Sequence, residues 1–322
     1  MDGVIRTVCG DIPPDSLGHC QCHEHLFIEK GKSYEIVPSL WIDDLEKTSR
    51  ELIEYGEAGG NAVVDAQPVH CGRMAELLVE ASQKSGVHVI ASTGFHKSVF
   101  YPETSYIFRC DEDEITSLYI REIGEGMVSS EQSGTERIVA KAGIVKTAID
   151  RKEVMQDGVY EKLFSAAVNA SKATGATILC HIEFESDVLA LIAGLLKRGV
   201  PPRKIILCHL DRVRFDFAYH EECLRYGVYL EYDTIHRPAY HDDACEAKFI
   251  RRILDAGYER QILLGLDTTN RRLRNYGADT GLDYIMNDFM PVLEREGVGK
   301  QLSDMLLIHN PRKALAICSS DN

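Results

Sequence analysis

The chain has 322 residues, a formal net charge of −14 and a hydrophobic content of 44%. The negative charge disfavours nucleic acid or an anionic membrane surface as the main partner, and no apolar run approaches the roughly 18 residues of a membrane span. The first residues lack the pattern of a secretory signal. The ten cysteines are therefore predicted to be reduced thiols of a cytoplasmic protein.

Short apolar segments alternate with segments of helical periodicity. Strands are predicted at residues 17–23, 62–65, 87–92, 141–148, 177–181, 204–209, 228–233 and 261–267. Helices are predicted at 43–57, 73–85, 113–127, 158–174, 185–198, 216–226 and 243–256. Residues 278–318 are predicted to be helical, with Asn310 and Pro311 as the N-cap and first residue of a helix. Residues 1–16 are expected to be a turn or extended entry, and 26–42 a loop over one end of the fold.

These eight strands are near-continuous apolar runs, as in a parallel sheet that is covered on both faces. Their alternation with helices predicts an α/β fold, a (β/α)8 TIM barrel, with residues 1–322 as a single domain. No glycine-rich phosphate-binding loop follows any strand, which disfavours a doubly wound dinucleotide-binding fold.

An H-x-H pair, His23 and His25, lies at the end of the first predicted strand. Residues two apart on a strand share one face and lie about 7 Å apart, so both imidazoles can approach one metal ion. The alternative is that they are exposed or hydrogen-bonded histidines at a strand edge.

Further potential ligands end other predicted strands. Because chemistry in a TIM barrel lies at the carboxyl ends of the strands, we expect these side chains to converge. The predicted set is His23, His25, Lys146, His181, His209 and Asp267. Imidazole and carboxylate ligands suit Zn²⁺, which we expect, and also Mn²⁺, Fe²⁺ or Co²⁺.

A cysteine directly precedes three of these histidines, at Cys22, Cys180 and Cys208. Adjacent strand residues point to opposite faces. If the histidines point into the barrel, the thiols are expected to pack outward against the helices as small apolar groups. On this argument a mixed Cys/His zinc site is disfavoured.

Lys146 is the unusual member of the set, because an ammonium would repel metal ions. Burial and neighbouring cations favour the neutral amine, and a neutral amine can take up CO₂ to form an anionic, bidentate carbamate. The alternative is a lysine that faces helix or solvent.

Several segments together resemble the phosphotriesterase-like family of the amidohydrolase superfamily, including its lactonases, over nearly the whole chain. They are Thr7–Gly18, His23–Leu26, Lys141–Lys146, Cys180–His181, Cys208–His209 and Gly265–Asp267. The resemblance implies two divalent metal ions, the buried one held by His23, His25 and Asp267 and the more exposed one by His181 and His209. It also implies a carboxylated Lys146 (N6-carboxylysine) and a hydroxide as bridges, and a homodimer as the assembly.

The mechanism expected for such a centre is attack by a hydroxide on a carbonyl or phosphoryl group polarised by the exposed metal. Asp267 is the predicted catalytic residue, which takes the proton of the hydroxide and passes it to the leaving group. Asp65 and Asp233 are expected to be supporting polar groups near the strand ends.

Cations in the loops after the strands indicate the substrate. Arginine suits bidentate contact with phosphate or carboxylate, so we expect an anionic substrate such as a phosphorylated sugar lactone. The alternative is that the arginines are solvated and paired with nearby aspartates. His96, near Tyr101, is expected over the metals. The predicted substrate-binding residues are His96, Lys97, Arg237, Arg271 and Arg272, and the wider group of loop cations adds Arg212 and Arg274.

The predicted function is metal-dependent hydrolysis of a lactone or carboxylic ester. Strand 228–233 is followed by Thr234-Ile-His-Arg237, which departs from the histidine pattern of organophosphate-hydrolysing family members. That departure favours lactones or esters. The alternatives are a phosphotriesterase or amide hydrolase on the same centre, or a metal-binding protein without catalysis.

Overall fold

The computed structural model describes residues 3–130, 136–152 and 154–317. Ten strands are defined over these residues, and eight of them form one parallel sheet in the order β10-β9-β8-β7-β6-β5-β4-β3. The strands are β1 Ile5–Thr7, β2 Gly10–Ile12, β3 Cys20–Glu24, β4 Ala62–Asp65, β5 His88–Gly94, β6 Ala142–Ile149, β7 Thr177–Ile182, β8 Ile205–Cys208, β9 Tyr229–Tyr232 and β10 Ile262–Leu264. The predicted TIM barrel is confirmed.

Helices separate successive strands of the barrel. They are α1 Lys32–Ile36, α2 Leu45–Glu57, α3 Ala75–Ser85, α4 Tyr106–Arg109, α5 Glu112–Gly124, α6 Gly158–Thr174, α7 Val188–Lys197, α8 Leu210–Val213, α9 Phe217–Leu224, α10 Asp243–Asp255, α11 Met290–Arg295, α12 Lys300–Asp304 and α13 Asn310–Leu315. Several begin at an aspartate cap, for example Asp187 before α7 and Asp242 before α10, whose side chain accepts a free N–H of the first turn. That the whole chain forms one domain stays a prediction.

The last strand meets the first where the barrel closes. The N–H of Asp267 donates to the carbonyl of His23 across 2.9 Å, and the N–H of Leu266 donates to the Glu24 carboxylate across 2.9 Å. The segment after β10 is thereby fixed to β3, which brings the two ends of the sheet together at the carboxyl end of the barrel.

Apolar side chains form two layers that follow the alternation of the strands. Ile90, Ile144, Leu179 and Leu263 fill the barrel interior, while neighbouring strand residues such as Val145 pack outward against the helices. Burial of such a side chain contributes about 1.5–3 kcal/mol relative to exposure. Where the alternation is regular, the position of a residue on its strand therefore gives the direction of its side chain.

The ends of the chain differ from expectation. The segment expected to be a turn or extended entry forms an antiparallel hairpin in which Ile5 pairs with Ile12, so it is extended but also paired. The predicted loop 26–42 contains α1. α13 begins at Asn310, but Asn310 is not a non-helical cap, because the five-residue π-helical turn Met305–His309 runs directly into this helix. The side chain of Asn310 instead donates to the carbonyls of Glu259 and Ile262, at 2.8 and 2.7 Å. Residue 318, the last of the predicted helical segment, lies outside the described residues.

Over the described residues, every helix is too short or too polar to cross a membrane. Nine of the ten cysteines lie in this part of the chain, and all nine are free thiols, as predicted. Cys318 lies outside the described residues.

Candidate metal centre

The six side chains predicted as ligands come together at the carboxyl end of the barrel. Lys146 on β6 and His181 on β7 point inward, because each lies two residues beyond a side chain of the inner core. The residues that meet there are His23, His25, Lys146, His181, His209 and Asp267.

One half of the cluster surrounds His23. Its Nε2 lies 3.1 Å from Nζ of Lys146 and 3.7 Å from Oδ1 of Asp267. Nε2 of His25 lies 3.4 Å from the same Asp267 oxygen. Two imidazole nitrogens, a carboxylate oxygen and an amine nitrogen therefore face a common point.

The other half is a pair of histidines. Nδ1 of His181 and Nε2 of His209 face each other across 2.7 Å, and the rings lie 4.4 Å apart between centroids. The ring of His209 is also 4.9 Å from that of His23. The two halves are therefore contiguous, and one side chain between them could reach ligands of both.

Two of the converging residues have a left-handed backbone. His209 has φ of 71° and Asp267 has φ of 50°, a conformation that costs a non-glycine residue about 1–3 kcal/mol and is concentrated at functional sites. The turn at His209 redirects a side chain that the alternation of β8 would otherwise point outward.

Carboxylates orient three of the four histidines through the nitrogen that faces away from the centre. Nδ1 of His23 donates to Glu231 across 3.0 Å, and Nδ1 of His209 donates to Asp233 across 2.8 Å. Nε2 of His181 donates to Glu183 across 2.9 Å. Such carboxylate–histidine pairs fix the tautomer and orientation of metal-binding imidazoles.

The protonation state of these rings favours metal binding. Burial lowers the pKa of His23, His181 and His209 well below the ordinary histidine value, so all three are neutral at pH 7. If Glu183 and Asp233 hold protons on the outer nitrogens, the facing nitrogens of His181 and His209 present two lone pairs 2.7 Å apart. Two lone pairs repel at that distance unless a cation lies between them, so the residues fit a metal ion.

Lys146 fits the same conclusion. Its side chain is fully buried, and within the described chain no carboxylate lies within the 4 Å of an ion pair with it. A buried ammonium without a counter-ion is strongly unfavourable. An amine converted to a carbamate would instead supply negative charge between the two halves of the cluster.

Asp267 is held by two arginines. Oδ2 accepts from Arg212 at 2.6 Å and from Arg237 at 3.0 Å. Burial opposes ionisation of this carboxyl, but the charges of Arg212 and Arg237 outweigh it and hold the pKa of Asp267 well below its usual range. Asp267 is therefore a carboxylate, with Oδ1 left facing the histidines.

The sequence reasoning missed Glu231 and Glu183. On β9 the inward positions are Tyr229 and Glu231, and the same alternation, extended by two residues, points Asp233 inward. Burial raises the pKa of Glu231 well above its usual value and that of Asp233 to about 6. The signal was present, since Glu231 shares a face with Asp233 and Glu183 lies two residues after His181.

The predicted direction of the thiols is wrong at two of three positions. Cys180 packs in the outer core as expected, but Cys22 and Cys208 lie in the barrel interior. A register shift between Gln21 and Glu24 lets Cys22 and His23 both face inward, and the left-handed turn at His209 does the same after β8. Cys208 consequently lies within 4.8 Å of the potential ligand atoms of His23, Glu231 and Asp233.

A cavity of about 160 Å³ opens onto the cluster. Three of the five predicted substrate-binding residues, His96, Lys97 and Arg237, line it with His25, His181 and Asp267. The ring of His96 is 4.7 Å from that of His181, and its backbone N–H donates to the Tyr101 hydroxyl across 3.0 Å. Nζ of Lys97 is paired with Glu183 at 2.6 Å.

Arg271 and Arg272 do not reach this cavity. Arg272 is buried, and its guanidinium donates to the carbonyls of Ile235 and His236 at 2.7 and 2.9 Å, so it fastens two loops together. Arg271 lines a separate depression beside Trp41 and Tyr276. Neither position supports the predicted contact of Arg271 and Arg272 with the substrate, which stays a prediction.

Comparison with known proteins identifies the class. The model of the phosphotriesterase family matches residues 3–315, so the chain belongs to this family, a family of binuclear-metal enzymes, and is a hydrolase.

Two similar curated proteins are both named phospho-furanose lactonase. The one from Mycoplasmopsis agalactiae is 34% identical over 98% of this chain and 92% of its own length. The one from Mycoplasmopsis synoviae is 32% identical over 98% and 93%. The match therefore spans almost the full length of these relatives.

Solved structures show the same likeness. An amidohydrolase from Mycoplasma synoviae superposes with a TM-score of 0.92 at 31% identity, covering 100% of this chain and 94% of that one. A lactonase from Listeria monocytogenes superposes with a TM-score of 0.87 at 26% identity, covering 98% and 99%.

Proposed function

We propose that this protein is a two-metal lactonase that opens a small anionic sugar lactone, such as a phosphorylated one, by hydrolysis. The convergence of four imidazoles, Lys146 and Asp267 beneath one cavity carries the proposal. The names of the two similar phospho-furanose lactonases support the substrate class.

His23, His25 and Asp267 would hold one divalent ion, and His181 and His209 the second. A carboxylated Lys146 would contact both. When bound, two such ions would supply a hydroxide at neutral pH and a Lewis acid for the lactone carbonyl. Nitrogen and oxygen donors of this kind suit Zn²⁺.

Asp267 would carry the proton. Its Oδ1 faces the histidine cluster while Arg212 and Arg237 occupy Oδ2, so only one oxygen is free to accept. In the reaction, the oxygen of water bonds to the lactone carbonyl carbon and the ring C–O bond breaks. Asp267 would accept the proton that the water loses and deliver it to the ring oxygen as that oxygen leaves as a hydroxyl.

Arg237 and Lys97 would bind the anionic group of the substrate. Both line the cavity, and Nε of Arg237 is buried without a hydrogen-bond partner in the described chain. An unpaired buried donor is costly, and a phosphate or carboxylate oxygen would satisfy it with a charge-assisted bond. His96, beside His181, would contact the reacting end of the substrate.

The proposal is tested with a panel of five- and six-membered sugar lactones, each with and without a phosphate, together with a phosphotriester and an amide. We expect the highest kcat/KM for a phosphorylated lactone and loss of that activity when a chelator removes metal. A preference for the phosphotriester or the amide would replace the proposed reaction. Zinc binding without turnover of any member would indicate a metal-binding protein.

A further inference from the structure

Glu231 lies directly behind His23 in the interior of the barrel. Its side chain is fully buried, and Oε2 accepts from Nδ1 of His23 across 3.0 Å. The opposite nitrogen of the same ring, Nε2, points at Lys146 and Asp267. The carboxylate therefore acts on the centre only through the orientation of this imidazole.

We infer that Glu231 is a positioning residue for His23, that Cys208 and Gly265 hold Glu231 in place, and that the three together set the metal affinity of the half of the centre to which His23 belongs. This inference rests on the proposed metal centre. It assigns a role to an interior carboxylate and an interior thiol that the proposed chemistry does not use.

Gly265 provides the space for this arrangement. A Cβ atom at this position would lie 3.0 Å from Oε1 of Glu231 and 3.0 Å from both the Cβ and the backbone nitrogen of His23. Any side chain would press at once on the Glu231 carboxyl group and on the backbone and Cβ of His23. The glycine thus permits the two side chains to approach each other.

Cys208 holds the carboxylate from the neighbouring strand. Its side chain is fully buried, and its Sγ lies within 4.8 Å of a carboxylate oxygen of Glu231. Oε1 of Glu231 has no hydrogen-bond partner in the described chain. The inward direction of Cys208, which the sequence did not predict, brings the thiol beside this carboxyl group.

Loss of this support is expected to weaken metal binding rather than folding. An imidazole whose far nitrogen is unpaired can rotate, and removal of such outer partners typically lowers metal affinity by about 10–100-fold. His25 cannot make up for a loosened His23, because no hydrogen bond to its own Nδ1 holds its ring in the described chain. The half built on His181 and His209 has its own hydrogen-bonded carboxylates, Glu183 and Asp233, and should change less than the half built on His23, although Asp233 also lies 3.7 Å from Nδ1 of His23.

The test is a titration of metal-free protein with Zn²⁺ in competition with a chromophoric chelator. The variant Glu231→Gln keeps size and polarity, and Glu246→Gln is the matched control, because Glu246 is also fully buried and paired with a histidine, His241. We expect Glu231→Gln to bind one of the two Zn²⁺ ions about 10–100-fold more weakly, and the control to bind both as the wild type does. The visible spectrum of the Co²⁺-loaded protein should change only in Glu231→Gln.

A second pair of variants covers the case in which Glu231→Gln does not fold. Cys208→Ala removes the thiol donor and should weaken the same ion, while Cys208→Ser restores a donor and should recover the affinity. The inference is overturned if folded Glu231→Gln binds both ions with wild-type affinity, if Cys208→Ala does so, or if a third Zn²⁺ binds the wild type at Glu231. If the wild type itself fails to bind two Zn²⁺ ions, the proposed function fails instead.

Discussion

Arg212 donates to Oδ2 of Asp267 across 2.6 Å, and the same Nη2 atom lies 3.0 Å from Oδ1 of Asp233. One guanidinium therefore ties the carboxylate proposed to carry the proton to the carboxylate that orients His209. The contact leaves Oδ1 of Asp267 facing His23 and His25. The guanidinium of Arg212 therefore fixes the relative position of these two carboxylates.

Asp267→Asn tests the role of this carboxylate as the proton carrier. The amide keeps the shape and one oxygen, but it cannot accept a proton at neutral pH. Since positioned acid–base groups typically contribute about 10²–10⁴-fold to rate, we expect kcat for the lactone to fall by that factor. Steady-state kinetics with metal content measured on the same sample checks this. Full turnover by the variant would refute the role.

Lys146 is tested by substitutions that differ in charge. Lys146→Met removes the proposed carbamate and should release metal, because two cations would then lack an anionic ligand between them. Lys146→Glu supplies a carboxylate and should retain more metal than Lys146→Met. Elemental analysis after dialysis compares the two. Incorporation of ¹³C-labelled bicarbonate, read by NMR on the wild type, should give a carbamate signal that both variants lack, and equal metal content in all three proteins would contradict the proposal.

Arg237→Ala tests the recognition of substrate charge. A hydrogen bond to a charged group is worth about 1.5–3 kcal/mol, so kcat/KM for a phosphorylated lactone should fall by about 10–100-fold. Because Arg237 also contacts Asp267, the neutral lactone with the same ring is measured in parallel.

If Arg237 recognises charge, its removal should lower kcat/KM more for the phosphorylated lactone than for the neutral one. Equal losses would mean that Arg237 only orients Asp267. Arg271→Ala is the control, since Arg271 lies outside the catalytic cavity, and it should leave both substrates unchanged.

A buried ion pair away from the site, Arg73–Glu122, makes the stability of the protein depend on pH. Two bonds of 2.7 Å join the side chains, which are 2% and 0% exposed. Burial alone would raise the pKa of Glu122, but the Arg73 charge outweighs it and leaves this pKa below its usual value. The stabilisation is thus fully present above the pKa of unfolded glutamate, about 4.3, and is lost as pH falls through the lower folded value.

Glu122→Gln should therefore lower the free energy of unfolding at pH 7 by about 3–5 kcal/mol, since Arg73 is left buried without its partner. The difference from the wild type should shrink below about pH 4. Urea denaturation at several pH values measures it. Glu125→Gln, which breaks the exposed pair with Arg121 on the same helix, should change stability by less than about 1 kcal/mol. If the difference in free energy of unfolding between the wild type and Glu122→Gln grew as the pH was lowered, the predicted direction of the pH dependence would be wrong.

The sequence was sufficient for the barrel and for the positions of the converging side chains, because strand ends can be read from apolar runs. It was insufficient where the backbone departs from regular alternation. Cys22 and Cys208 occupy regular inward positions two residues after Cys20 and Ile206, whereas a register shift in β3 and the left-handed backbone of His209 turn the adjacent histidines inward as well. Neither has a signature in residue type. The direction of Arg272 could not be read from the sequence either, because it depends on contacts with Ile235 and His236.

The central claim is that two metal ions lie among these side chains, and anomalous diffraction from crystals grown with Zn²⁺ tests it most directly. The account predicts two adjacent peaks at the zinc absorption edge. One should lie beside His23, His25 and Asp267, the other beside His181 and His209, with density for a carboxylated Lys146 between them. A cavity without anomalous signal at saturating Zn²⁺, or Lys146 directed away from the peaks, would contradict it.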